Sequence, residues 1–139
     1  MASGTARILV VDDDQLLREF YARVFTNMGY EAVCAGDGEE AIMLLREARE
    51  PFSLIIMDLL MPVKTGWETM EFIRKRPEWK NLPIVAITGL AVSNQEMVRM
   101  REYCDDIILK GEFEMTRLSQ TVERLINRAR EAPAANPAG

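Results

Sequence analysis

The residues able to do chemistry stand in four places: Asp12-Asp13-Asp14, Asp58, Thr88 and Lys110. Each follows a short apolar run, namely Ile8-Leu9-Val10-Val11, Leu54-Ile55-Ile56-Met57, Ile84-Val85-Ala86-Ile87 and Ile107-Ile108-Leu109. Such runs read as strands buried on both faces, and open α/β sheets place their chemistry where such strands end. If Asp12, Asp13 and Asp58 converge, carboxylates about 4 Å apart repel by roughly 4 kcal/mol at an effective dielectric near 20. Without a cation they raise one another's pKa or push the loops apart. Mg²⁺ resolves this, because it takes one or two carboxylates, prefers an octahedron of oxygens and keeps several waters. Lys110 adds a point charge and Thr88 a hydroxyl donor. Together these groups suit a phosphoryl group in flight, whose charge spreads over three equatorial oxygens, with an exposed carboxylate as nucleophile. Taken singly, each has a plainer reading: Asp58 as a turn or cap residue, Asp14 as a helix cap, Lys110 as a surface lysine. The chemical reading rests on all four strand ends together.

The elements that must position them follow from the pattern between these stretches. After the first strand, Leu17, Tyr21, Val24 and Met28 recur at helical spacing with Phe20 and Phe25 flanking, and Gly29 supplies the stop. Tyr30 to Ala35 alternates as a second strand. Asp37 caps a helix whose apolar face is Ala41, Ile42, Leu45 and Ala48, with Pro51 just beyond it. The third strand, Phe52 to Met57, leads into the Asp58 loop, which Pro62 opens and where Gly66 offers an unusual backbone angle. A helix from Gly66 to Arg76, with Trp67, Met70 and Ile73 inward, closes at Pro77. Ser93-Asn94-Gln95-Glu96 matches a capping box and starts a short helix to about Glu102. A fifth strand, Ile107 to Leu109, precedes a helix from Phe113 to Arg130 with Leu118, Val122, Leu125 and Ala129 on one face. Five strands alternating with five helices predict a parallel sheet with helices on both faces. Right-handed crossovers then bring the carboxyl ends of strands one, three, four and five to one edge, at a topological switch point.

With 139 residues, 48% hydrophobic and 28% charged, the chain matches one domain with a real core. Residues 1–6 read as a loose end, 7–130 as the domain, and the Ala- and Pro-rich 131–139 as a disordered tail or the start of a linker. The net charge of -5 argues against non-specific affinity for nucleic acid or anionic membrane. No apolar run is long enough for membrane insertion and no secretory signal opens the chain, which points to the cytoplasm. Cys34 and Cys104 lack metal-type spacing and read as reduced packing residues. Histidine is absent. That excludes a His-dependent triad, a His-ligated zinc site and a phosphohistidine on this chain.

Across residues 7 to 130 the sequence resembles the receiver domain of two-component response regulators. The motifs that carry the likeness are Val10-Val11-Asp12-Asp13, Met57-Asp58-Leu59-Leu60-Met61-Pro62 with Gly66, Thr88-Gly89, and Asp105-Asp106-Ile107-Ile108-Leu109-Lys110. The resemblance implies a flavodoxin-like, doubly wound sheet of strand order 2-1-3-4-5. It implies that Asp58 accepts a phosphoryl group from a sensor histidine kinase or phosphotransfer protein. Asp13, Asp58 and the backbone carbonyl of Leu60 would bind Mg²⁺ directly, with Asp12 acting through water. Thr88 would follow the phosphoryl group inward and Lys110 would contact it. The chain would then be no enzyme but a phosphoacceptor that assists its own phosphorylation and dephosphorylation. Its output would pass to a downstream protein target through about 93–130, where Met97, Met100 and Ile107 read either as adaptable contacts or as core. If the chain ends near residue 139, it acts through that partner alone; if the tail is a linker, an output unit follows.

Two further readings compete. Asp12-x-Asp14 after a strand also resembles the haloacid dehalogenase phosphatases. Those enzymes need an acidic pair after the lysine, where only Glu112 and Glu114 stand, and that reading leaves Asp58 without a role. The other is a receiver-like binding module that signals by contact alone, without phosphorylation. It draws on three departures from the receiver pattern. Ile107 stands where that family has an aromatic residue, so the signal must leave by another route, such as a shift of Thr88-Gly89-Leu90. Gly111 replaces the proline after Lys110, and a cis bond before a non-proline residue costs about 3–4 kcal/mol, so a trans bond is expected there. Thr65 replaces the Asp or Asn before Gly66, which loosens the Asp58 loop.

Leu60 and Leu90 are apolar at positions that, by the same resemblance, flank the path of the water that hydrolyses the acyl phosphate. Slow self-dephosphorylation is therefore expected. Measured decay of the phosphorylated chain tests this: Leu60→Asn should decay faster than the parent, and equal rates would reject it.

Overall fold

The computed structural model describes residues 5–59, 66–89, 93–110 and 114–131. Strands β1 (Arg7–Val11), β2 (Glu31–Ala35), β3 (Leu54–Asp58), β4 (Ile84–Thr88) and β5 (Asp106–Leu109) alternate with helices α1 (Gln15–Asn27), α2 (Gly38–Glu47), α3 (Gly66–Arg74), α4 (Asn94–Met100) and α5 (Glu114–Glu131). The strands pair in parallel in the expected order, β2-β1-β3-β4-β5. A short 3-10 turn, Pro77–Trp79, follows α3 where the sequence pattern shows only a helix end.

Successive side chains on a strand point to opposite faces, and the apolar runs supply both faces at once. Leu9, Val11, Ile55, Met57, Ile84, Ala86 and Ile107 pack against Ala41, Leu45, Met70, Ile73 and Met100 from α2, α3 and α4. Their neighbours Ile8, Val10, Leu54, Ile56, Val85, Ile87 and Ile108 pack against Tyr21 and Phe25 of α1 and Leu118, Val122, Leu125 and Ile126 of α5. Burying each Val, Leu, Ile, Phe or Met among these stabilises by about 1.5–3 kcal/mol. A one-residue slip of any strand would exchange its two faces, so the register is firmly set.

Side chains close to the chain's own turns define where the helices begin and end. The Asp14 carboxylate accepts from the N–H groups of Leu16 and Leu17 at the start of α1, and Asp37 accepts from Glu40 N–H at the start of α2. Ser93 and Glu96 form the expected reciprocal capping box before α4. Gly29, at φ 97°, ends α1. Beside it, Tyr30 N–H bonds to Phe25 O and Gly29 N–H to Thr26 O, each at 3.0 Å. This is the Schellman arrangement that glycine makes cheap.

Several packing expectations shift. In α1 the fully buried residues are Tyr21 and Phe25; Leu17, Val24 and Met28 are half-buried and Phe20 is exposed. Tyr21 and Phe25 lie four residues apart on one line, and that line meets the sheet. In α5 Ile126 is buried and Ala129 exposed, and Trp67 of α3 is only half-buried. Met100 and Ile107 belong to the core rather than to an accessible face; among the described residues, Val98 (67% exposed) and Leu109 (50%) are the large apolar ones on the surface there. Cys34 and Cys104 are free thiols. Burial pushes the Cys104 thiol up to about 11, as expected of an inert packing residue.

Gly66 is required for a reason other than a backbone angle, since Gly29 is the one positive-φ residue among those described. A Cβ on Gly66 would stand 2.7 Å from Leu59 Cα and collide with the carbonyl oxygen of Asp58. The first turn of α3 thus rests directly on the backbone that carries Asp58, tied by Gly66 N–H to Leu59 O at 3.2 Å. Gly66→Ala should destabilise the fold by about 1–3 kcal/mol, read as a lower urea midpoint at unchanged slope. A midpoint equal to the parent's would show that α3 can move off Asp58 at no cost.

Candidate acidic phosphoryl site

Strand register builds the site. Val11 of β1 lies opposite Met57 of β3, so the next residues, Asp12 and Asp58, leave adjacent strands side by side. Parity matters as well: counting by twos, Asp12 and Asp58 continue the rows of Val10 and Ile56, which face α1 and α5. One carboxylate oxygen from each of Asp12, Asp13 and Asp58 lies within 4.8 Å of the others. Asp12 and Asp58 are buried and Asp13 is exposed. Lys110 follows β5 and is held by its N–H to Thr88 O at 2.9 Å. Its Nζ stands 3.9 Å from Asp58 Oδ1. Thr88, 4% exposed, ends β4 beside it. These groups open into a cleft of about 320 Å³ lined by Asp12, Asp13, Asp14, Leu17, Asp58, Gly89 and Lys110. A larger groove, about 980 Å³, lies at the opposite edge of the sheet around Arg7, Phe52 and Pro83. It gathers no comparable carboxylate cluster.

The strand ends are fixed by backbone bonds rather than by the acids themselves. Asp12 N–H donates to Ala35 O at 3.1 Å and Leu59 N–H to Ile87 O at 3.1 Å. Asp12 Oδ1 accepts from Asp14 N–H at 2.9 Å, and Asp12 O accepts from Arg18 Nη1 at 2.9 Å. Beneath the cleft the buried Tyr21 hydroxyl donates to the Glu114 carboxylate. That bond pins the first turn of α5 to α1. Burial and the nearby carboxylate push the Tyr21 pKa up, so it stays a neutral donor.

Burial is the main cause of a raised Asp12 pKa. Asp13 and Asp14 add to the rise, while the Asp14 N–H and Lys110 oppose it. Three carboxylates beside one lysine also leave the site with more negative charge than its own cation relieves. An ion pair at 3.9 Å with a partly exposed lysine is worth little by itself. The donor set fits a small hard divalent ion: oxygens only, three carboxylates, and an open cleft for water and an incoming oxyanion.

Asp12, Asp13, Asp58, Thr88 and Lys110 thus come to one edge of the sheet, as expected. Asp14 serves as the α1 cap. The Leu60 carbonyl, Leu90, Thr65 and the Lys110–Gly111 peptide lie outside the described residues. Ile107 is 5% exposed and packed in the α2–α4 side of the core. Arg18 was not foreseen as part of the site. Its signal was available: a cation in the first turns of a helix, where the dipole disfavours it.

Residues 8–123 match the family model of the response regulator receiver domain. Response regulator RR06 of Streptococcus pneumoniae is 30% identical over 121 residues, covering 87% of this chain and 53% of that protein. The chain spans about half the length of the curated relatives it matches. Among solved structures, chemotaxis protein CheY4 of Vibrio cholerae is 30% identical with a TM-score of 0.77, covering 88% of this chain and 99% of that one. Response regulator TrrA of Thermotoga maritima, solved in complex with Mg²⁺-BeF, is 30% identical with a TM-score of 0.75, covering 87% and 99%. Among the described residues no helix is long and apolar enough to cross a membrane.

A carboxyl with a raised folded-state pKa stabilises the fold below its unfolded pKa, and that contribution is lost as pH rises through the folded value. Asp12 is such a group. Metal-free protein should therefore lose stability as pH climbs past the ordinary carboxylate range, and Asp12→Asn should remove that part of the slope. At pH 7 the variant should melt a few degrees higher, on the order of 1 kcal/mol, in calorimetry with a chelator present. An unchanged or lower midpoint at pH 7 would show that the carboxylate is not strained there.

Proposed function

The chain belongs to the response regulator receiver domain family, and on that footing we propose that it is a phosphoacceptor whose Asp58 takes a phosphoryl group from a sensor histidine kinase or phosphotransfer protein. The observation that carries this reading is the convergence of Asp12, Asp13 and Asp58 beside Lys110 in one open cleft. These 139 residues contain no histidine, so the donor imidazole lies outside them. In the transfer an Asp58 oxygen bonds to phosphorus, the donor's P–N bond breaks, and the imidazole leaves with the electron pair and is protonated. The product on this chain is an acyl phosphate.

Asp13 and Asp58, with the Leu60 carbonyl, would hold Mg²⁺ directly, and Asp12 would hold it through water. Bound there, the ion would supply the positive charge that the phosphoryl oxygens require. Lys110, already 3.9 Å from Asp58, gives a second cation to the same oxygens. Thr88, buried at the end of the adjacent strand, offers its hydroxyl to an oxygen of the bound phosphoryl group. The chain assists its own modification and its reversal, and it does not turn over an independent substrate. Its output goes to a protein target through residues 93–130, in the cytoplasm. With Met100 and Ile107 in the core, the exposed large apolar residues on that face, among those described, are Val98 and Leu109.

A phosphatase reading is disfavoured by Asp14, whose carboxylate is occupied with the N–H groups of Leu16 and Leu17. Incubation with Mg²⁺ and a small phosphodonor such as acetyl phosphate separates the readings. We expect one hydroxylamine-sensitive phosphate per chain, lost in Asp58→Asn, with the labelling rate of Lys110→Ala reduced by roughly 100-fold. Turnover of a generic phosphate ester would instead favour the phosphatase. No labelling, together with no response to Mg²⁺ and beryllofluoride, would favour a module that signals by contact alone.

A further inference from the structure

Arg18 is the fourth residue of α1, whose first turn carries no acidic residue. A cation there opposes the helix dipole, so its charge must be used elsewhere. The side chain reaches back past the cap and donates Nη1 to the carbonyl oxygen of Asp12 at 2.9 Å. A guanidinium beside several aspartates would ordinarily pair with a carboxylate, where its planar fork fits best. Among the described residues Arg18 makes no ion pair within 4.0 Å. It holds a backbone carbonyl instead and leaves the acids to other partners.

That carbonyl is the third tie on one residue. Asp12 N–H is bonded to Ala35 O, Asp12 Oδ1 accepts from Asp14 N–H, and Asp12 O accepts from Arg18. The carbonyl also belongs to the peptide unit that joins Asp12 to Asp13. Fixing its direction fixes how Asp13 leaves the strand, and Asp13 is the one exposed carboxylate of the cluster.

The space for the guanidinium comes from Gly36, just past β2. A Cβ there would stand 3.3 Å from Arg18 Nη1 and 3.5 Å from Glu40 Oε1. Glu40 Oε1 in turn accepts from Gly36 N–H at 2.6 Å. Gly36 has no positive φ, so it is the room beside it, not its backbone angle, that a side chain would remove.

We propose that Arg18 is a positioning residue for the divalent-cation site, setting the Asp12–Asp13 peptide so that the Asp13 carboxylate meets those of Asp12 and Asp58, in a slot left open by Gly36. The inference rests on the reading of those three carboxylates as an Mg²⁺ site.

The test is a Mg²⁺ titration of the full chain followed by amide resonances, with thermal midpoints measured in chelator. Outer partners of metal ligands typically alter affinity by about 10–100-fold, so Arg18→Gln should weaken Mg²⁺ binding about tenfold. Gly36→Ala should weaken it too, because its methyl group displaces only the tip of a flexible side chain and leaves the fold intact. Arg18→Lys should fall between, and Arg23→Gln, the same charge change at an exposed position of α1, should match the parent. At saturating Mg²⁺ the labelling rate of Arg18→Gln should recover to within about twofold of the parent, since an affinity loss is offset by concentration. Parent-like affinity in both Arg18→Gln and Gly36→Ala would overturn the proposal. So would a loss of affinity that only tracks lowered thermal midpoints. A parent that binds no Mg²⁺ would reject the metal site itself, and this inference with it.

Discussion

The constraint on which this structure depends is the parallel pairing of β1 with β3. Val11 opposite Met57 leaves no choice about the next pair: two aspartates emerge from adjacent strands, on one face, at a buried edge. Strand neighbours are about 4.8 Å apart, close to the separation at which carboxylates repel by several kcal/mol in a protein environment. The fold must absorb that repulsion, and it does so with two packed faces. A slip of β1 would relieve the acids but would turn Ile8 and Val10 toward α2–α4 and Leu9 and Val11 toward α1 and α5. Several aliphatic side chains at about 1.5–3 kcal/mol each outweigh one carboxylate contact, so the hydrophobic register wins and the acids stay together.

The remaining parts of the site follow from what surrounds that pair. Lys110 is delivered by the pairing of β4 with β5, through its N–H on Thr88 O. The start of α5, the element that follows Lys110, is anchored by the Tyr21–Glu114 bond. Gly66 lets α3 begin against the Asp58 carbonyl. None of these contacts touches the carboxylates directly, yet each limits how far a loop at the edge can retreat from the accumulated charge. The strand ends and helix starts are held by backbone bonds and caps, and the charge is left for a cation to neutralise.

Local features were legible in the sequence because their cause lies within a few residues. The Ser93–Glu96 box and the Asp14 and Asp37 caps each join a side chain to an N–H two or three positions away. The alternation of strands and helices gave the sheet, and the residues that end the strands gave the cluster. The fine orientation of amphipathic helices was less legible. In α1, apolar residues at 17, 20, 21, 24, 25 and 28 cover a broad face of about 140° at 3.6 residues per turn, and periodicity alone does not say that Tyr21 and Phe25, toward one side of it, are the ones that face inward. Leu109 has the type of a core residue but sits half exposed at the end of β5. Arg18 and Gly66 stood out as residue types, but the contacts they make were illegible for a different reason. Both act on backbone atoms brought near by the fold, and a carbonyl at Asp12 or Asp58 leaves no mark on residue identity.

The position of Ile107 bears on how a change at Asp58 reaches the surface. It is an aliphatic side chain opposite Ala86 in the sheet, buried in the core cluster that includes Met100 and Cys104, with no polar atom to exchange partners. The neighbouring helix offers firmer connections. Trp67, the second residue of α3, meets Tyr103 edge to face at 6.5 Å, and Arg99 lies 5.5 Å over the Trp67 ring. Tyr103 hydroxyl donates to Glu71 at 3.3 Å, and Arg99 pairs with Glu71 at 3.8 Å. At the far end of α3, Arg74 donates to the carbonyls of Tyr103 and Leu82 and to Asp105, whose carboxylate also accepts from Ile84 N–H. Both ends of α3 are therefore fastened to the segment that follows α4, while its first residue rests on the Asp58 backbone. Close-packed interiors transmit small displacements rather than absorbing them. In this chain α3 gives a continuous physical contact between the acidic edge and the segment after α4, along aromatic and charged groups. It lies beside the direct contact that Lys110 makes at the end of β5, and neither contact needs a side chain at 107 that can swing.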